Sequence, residues 1–152
     1  MMDIEKLNIY TQIILMKSGW YEGRKYDCNE WIHALVSEGF SPNSYALEIL
    51  GELGNIYVRA RSNKYHTAAT FNFNPFNAAS GECDRIDRYQ KACKESLFPL
   101  GECFDFIIYA GGSRKIYAAS WCSLDIVGDC IEDYLNNVFQ IGYTAINVPL
   151  DY

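Results

Sequence analysis

Between Cys103 and Tyr109 the chain alternates strictly. Phe104, Phe106 and Ile108 fall on one parity and Cys103, Asp105, Ile107 and Tyr109 on the other, which is the two-residue period of a β-strand. Gly111 and Gly112 follow, residues able to take the positive φ of a tight turn, and Lys115 to Ser120 can return as the partner strand. Past Trp121 the period becomes helical: Ile131, Tyr134, Leu135, Val138 and Phe139 recur about one turn apart, with Gly142 as a stop. The whole stretch from Phe98 to Gly142 reads as strand, tight turn, strand, loop and helix, a frame that presents a surface, with Phe98 to Leu100 leading into the hairpin.

The rest of the chain supplies the missing layers. Ile4, Leu7, Tyr10, Ile13 and Ile14 predict one amphipathic helix over Asp3 to Ser18, closed by Gly19. Trp20 anchors the loop that follows. Cys28, Trp31, Ile32, Leu35 and Val36 predict a second helix ending at Gly39. Ser41 and Pro42 then open a third that runs to Leu53, its inner edge formed by Tyr45, Ala46, Ile49, Leu50 and Leu53. Asn55 to Arg61 alternates, with Ile56, Val58 and Ala60 inward and Tyr57, Arg59 and Arg61 outward. After a polar turn at Ser62 to Lys64, Tyr65 to Phe73 returns as its partner, with Ala69, Phe71 and Phe73 inward, and Asn74–Pro75 ends it. Asn77 to Gly81 reads as a small-residue loop, Glu82 to Glu95 as an exposed helix packed by Cys83, Ile86, Tyr89 and Cys93, and Tyr143 to Tyr152 as an unpatterned tail. With 152 residues, no repeat and no linker, residues 1–152 form one domain.

Chemistry-bearing patterns are scarce. Cys28 and His33 are five apart, a spacing that turns them to different faces of a helix, so they make no nucleophile–base pair. The run from Gly111 to Lys115 has the wrong Gly-to-Lys spacing for a phosphate loop, and a hairpin turn accounts for its glycines. Asp125, Asp129, Glu132 and Asp133 could suggest a metal cluster, yet carboxylates in a first helical turn serve the positive dipole end. The six cysteines include no CxxC pair, which argues against a zinc site. The expectations are no catalysis, no metal and no cofactor. A net charge of −6 disfavours nucleic acid and anionic membranes and suits a basic protein partner. An acidic amino-terminal stretch without an apolar core points to the cytoplasm and to reduced thiols.

Five segments taken in order carry a resemblance: LMKSGWYEGRKYD from Leu15 to Asp27, LEILGELGNIYV from Leu47 to Val58, FNFNP from Phe71 to Pro75, FPLGE from Phe98 to Glu102, and IVGDCIEDYLNNVFQIG from Ile126 to Gly142. Together they resemble the third family of the SUKH superfamily of bacterial immunity proteins. Asn55 stands where that family has a second glycine, and Asn is the non-glycine residue best able to take positive φ. Asn74 stands where it has an aspartate before the proline. The resemblance implies an α+β domain, a twisted, mainly antiparallel sheet with helices packed on one face, with no enzymatic activity, working in the cytoplasm. It further implies binding and neutralisation of a toxin domain, often a nuclease or deaminase, in polymorphic or contact-dependent toxin systems. On the sheet face away from the helices, Tyr57, Arg59, Arg61, Asp105, Tyr109 and Tyr117 are the expected toxin-binding residues, because Tyr and Arg combine contact area with polar reach. The rival reading is a small-ligand or peptide sensor cupped by the same sheet, which requires a concave apolar pocket there. Gly54, Pro75, Pro99 and Gly128 read as turn and boundary positions, and Trp20 and Phe98 as core anchors.

Overall fold

The computed structural model describes residues 2–61, 68–139 and 143–151. Seven strands form one antiparallel sheet in chain order: β1 (Tyr57–Arg61), β2 (Ala68–Asn72), β3 (Leu97–Cys103), β4 (Phe106–Gly111), β5 (Ile116–Ala119), β6 (Leu124–Gly128) and β7 (Ile146–Asn147). Helices α1 (Ile9–Lys17), α2 (Asn29–Glu38) and α3 (Ser44–Leu53) precede the sheet, α4 (Pro75–Ala79) and α5 (Cys83–Cys93) lie between β2 and β3, and α6 (Ile131–Val138) lies between β6 and β7. This is the expected α+β architecture.

Local chemistry sets the boundaries. The first helix is not continuous: the Asn8 side chain accepts from the Thr11 N–H and starts α1 afresh after a 3-10 turn at Ile4–Lys6. Asn43, rather than Ser41, caps α3, and its amide also donates to the Ala110 carbonyl of β4. All five residues expected on the inner edge of α3 are buried. Gly39 ends α2 at φ 113°, and Asn55 turns the chain into β1 at φ 65°. Asn74 and Pro75 do more than break a strand. Asn74 caps and Pro75 opens the short α4, so the expected small-residue loop is a helix for most of its length.

The central hairpin differs most from expectation. Its first turn lies two residues after Cys103: β3 and β4 pair Cys103 with Phe106 across a turn at Phe104 and Asp105. Phe98–Leu100, expected only as a lead-in, belongs to a full strand, Leu97–Cys103, bulged after Pro99. At the second turn neither Gly111 nor Gly112 takes positive φ, and Arg114 does so at 82°. At Gly111 a Cβ would meet the Glu95 carboxylate, which would have to shift to admit it. The stretch Leu124–Gly128, read as part of a loop, is β6, and the tail contributes β7 against it. The Ser62–Lys64 turn and the Gly142 stop lie outside the described residues.

Register defines two faces. Val58, Phe71, Cys103 and Phe106 pair in a row across β1 to β4, and Ile108 and Ala110 continue their face. Tyr134 of α6 packs edge-on to Phe71 at 5.7 Å, and the Tyr45 hydroxyl of α3 accepts from the Ile131 N–H, which places α3 and α6 over this face. Trp20 and Phe98 are buried, as expected of anchors. The other face carries Tyr57, Arg59, Glu102, Ile107, Tyr109, Tyr117 and Ala119. One helix departs from the expected single layer. α5 crosses this second face, with Tyr89 6.0 Å from the Tyr109 ring and its hydroxyl donating to the Ser120 carbonyl.

Candidate functional site

α5 divides the second face into a covered part and an open part. Under the helix, Tyr109 is fully buried and Tyr117 nearly so (2% exposed). Two of the six expected surface residues are therefore core residues, because the helix predicted as exposed lies on the face that was expected to be bare. Tyr117 donates its hydroxyl to Glu95 at 2.5 Å, and the Ser113 N–H and hydroxyl reach the same carboxylate at 2.9 and 2.8 Å. Burial by itself would raise the Glu95 carboxyl, but these hydrogen bonds and the charge of Lys115 bring it below its ordinary value. Burial, and then the bond to Glu95, pushes the Tyr117 phenol far up. The Tyr109 hydroxyl finds no hydrogen-bond partner among the described residues.

The remaining expected residues fare differently. Tyr57 is 57% exposed and Arg59 is exposed on β1, the edge strand, so both lie on the open part of this face. Asp105 is exposed, but in the β3–β4 turn at the end of the sheet rather than on its face. Arg61 ends β1, and its side chain lies outside the described residues. The open surface thus comprises Tyr57 and Arg59 with Glu102 and the half-buried Asn72 and Ile107, and it reaches Asp105 at the sheet end.

Two exposed aromatics at that same end were not among the expected residues. Phe104 is half exposed in the β3–β4 turn, and Trp121, 73% exposed, follows β5. The Arg85 guanidinium of α5 lies 3.2 Å above the Trp121 ring and pairs with Glu82 at 2.9 Å, and Arg88 donates to the Trp121 carbonyl at 2.5 Å. The signal for Trp121 was its place between a strand pattern and a helix pattern, where a large apolar side chain has no face to bury. The signal for Phe104 was masked by the alternation, which assigned it to a strand interior.

Elsewhere, a cleft of about 420 Å³ lies between β6, α6 and β7, lined by Asp129, Asp133, Asn136, Asn137 and Thr144 with Ile126 and Ile146 among others. It is polar and lies away from α5, unlike the apolar pocket that the sensor reading required. Glu132 is buried, and its carboxylate accepts from the Asp3 N–H at 2.7 Å. Among the described residues no group of three or more His, Cys, Asp or Glu is placed to hold a metal ion. All six cysteines are free thiols, with Cys28, Cys103 and Cys130 buried and Cys122 exposed. Burial first of all pushes Cys103 and Cys130 up to about 11, as expected of inert thiols. No described helix is long and apolar enough to cross a membrane.

The model of the SUKH-3 immunity protein family matches residues 9–140, from the start of α1 to just past α6. The chain belongs to the SUKH-3 immunity proteins. No curated protein and no solved structure matches the chain. The segments that carry the family resemblance mostly build this SUKH-3 fold. Gly54 ends α3, Pro75 opens α4, Pro99 marks the β3 bulge, and a Cβ at Gly128 would sit 2.7 Å from the Tyr134 nitrogen of α6. None of these side chains belongs to the open surface. Family membership implies a protein toxin as the partner.

Proposed function

We propose that this protein neutralises a toxin domain, a nuclease or deaminase, by covering its active site or substrate groove, and that it does so in the cytoplasm without catalysis of its own. The observation that carries the reading is the uncovered part of the second sheet face. Tyr57 and Arg59 stand exposed there on a rigid antiparallel floor, and Asp105 stands exposed at its end. A surface bearing Tyr, Arg and carboxylates on a hydrogen-bonded sheet suits occlusion of another protein, because Tyr and Arg combine contact area with polar reach and the backbone beneath them is already ordered. The net charge of −6 favours a partner with a basic, nucleic-acid-binding groove and speeds encounter with it. Such a partner would be encoded beside this chain in a polymorphic or contact-dependent toxin system.

The test is co-expression with the toxin domain encoded in the neighbouring reading frame. Survival of the cells, with a complex that co-purifies and weakens as salt rises, is the expected result. Cell death despite soluble expression, with no complex, would exclude that pairing.

A further inference from the structure

Topology gathers exposed aromatic rings at one end of the sheet. The β3–β4 turn and the β5–β6 connection lie at the same end as the start of β1, because Tyr57 pairs with Asn72, Asn72 with Glu102, and Cys103 with Phe106. Tyr57, Phe104 and Trp121, which are 57%, 50% and 73% exposed, therefore share one end of the sheet, where four strand spacings, about 19 Å, separate β1 from β5.

Two of these rings are held in ways that folding alone does not require. Phe104 has φ 54°, in the left-handed region where a bulky side chain is strained and where a tight hairpin turn would ordinarily place glycine. With its ring half in solvent, burial of Phe104 offsets only part of that strain. Trp121 has one ring face covered by Arg85, itself paired to Glu82, while Arg88 fixes its carbonyl and the Ser120 and Ser123 hydroxyls close the loop at 2.7 Å. The indole is thus presented with most of its surface still open.

The charges around these rings specify the partner. Arg85 and Arg88 are occupied in holding Trp121, whereas Glu102 and Asp105 are exposed beside the rings. Beside Phe104 the exposed charge is negative, Arg85 is offset by Glu82, and Arg59 adds one exposed cation on the open face, while the net charge of the chain is −6.

We propose that this end of the sheet is the docking surface for the toxin domain, with Phe104 and Trp121 as anchor residues entering apolar recesses of a basic protein surface. The inference rests on the immunity reading and adds to it where contact is made and which side chains carry it.

The test titrates the toxin domain encoded in the neighbouring reading frame calorimetrically into wild type and into Phe104→Gly, Trp121→Ala, Asp105→Lys and, as a control on the opposite layer, Ile13→Ser. Trp121→Ala weakens Kd about 30-fold or more, as expected for a central aromatic anchor. Phe104→Gly weakens Kd about tenfold and, by relieving the turn, raises Tm by about 2–6 °C. Asp105→Lys slows association and flattens its salt dependence. Ile13→Ser leaves Kd within about twofold. Affinity within twofold of wild type for both aromatic variants overturns the proposal, as does loss of affinity in Ile13→Ser alone or a lowered Tm in Phe104→Gly. A wild-type protein that neither protects nor binds overturns the immunity reading itself and the surface with it, which separates the two failures.

Discussion

Tyr57 and Tyr109 occupy the same face of the same sheet, yet one is 57% exposed and the other fully buried. Both sit at positions where the alternation of their strand points them away from α3 and α6. What separates them is α5, which lies over β4 and β5 and leaves β1 bare. Period two decides which face a side chain takes, and the packing of a distant helix decides whether that face meets water. A tyrosine can thus be an anchor of the fold or a candidate contact with no change in its local pattern.

Substitution at the covered positions has the largest expected effect. Tyr109→Ala leaves a cavity between β4 and α5 and is expected to lower unfolding stability by about 3–5 kcal/mol, measured by urea denaturation. Tyr109→Phe tests the same site with the opposite sign, because the buried hydroxyl has no partner among the described residues. Its removal is expected to raise stability by about 1 kcal/mol. Equal losses for both substitutions would mean that the hydroxyl is hydrogen-bonded in solution. Next in size is Gly101→Ala on β3, where a Cβ would come within 2.1 Å of the Asn72 carbonyl oxygen. The β2–β3 pairing has to part to admit it, with an expected loss of about 2–4 kcal/mol.

How much of this was legible from sequence follows the same division. The buried stripe of α3, the Ile56/Val58 and Phe71/Phe73 alternation and the end of α2 at Gly39 were readable because each is a local period with a local stop. β3 was not, because five of its seven residues in succession are buried and both faces are covered, which erases alternation. The inner face of the first helical stretch was read only in part: Leu7 is buried and Ile4 and Ile14 pack against the core, but Tyr10 and Ile13 are exposed. The buried residues of α1 are Thr11 and Leu15, while Ile9, Ile13 and Met16 are exposed, so the helix is apolar on nearly every side and periodicity could not choose among them. The candidate site was half legible: Tyr57, Arg59 and Asp105 are exposed, Tyr109 and Tyr117 are not, and Phe104 and Trp121 depended on a turn position and a cross-strand neighbour that no single segment records.

Glu95 sharpens the comparison at the covered end, where a carboxylate rather than an apolar contact ties the β4–β5 turn to Tyr117. Its folded pKa is lowered, so its contribution to stability is present above the unfolded value of about 4.3 and is lost as pH falls through the folded value. Glu95→Gln is therefore expected to cost about 1 kcal/mol at pH 7 and progressively less as acid protonates the wild-type carboxylate, so that the two unfolding curves converge at low pH. A difference that stays constant from pH 7 to about pH 2.5 would show that Glu95 acts through packing and not through its charge.

The smallest effect on stability is expected at Tyr57, and there the comparison is most exposed to refutation. Tyr57→Ala removes a side chain that is mostly in water on an edge strand, so unfolding stability should change by no more than about 0.5 kcal/mol. If the open part of the face meets a partner, the same substitution should weaken toxin binding several-fold while urea denaturation scarcely moves. Tyr109→Phe should do the reverse, shifting stability with affinity unchanged. The two tyrosines share a sheet face but differ in helix cover and in strand position, edge against centre, so this double dissociation asks whether the part left open by α5 separates framework from contact surface. A Tyr57→Ala protein that loses stability like Tyr109→Ala would place β1 under a cover as well, and the boundary drawn by α5 would be wrong.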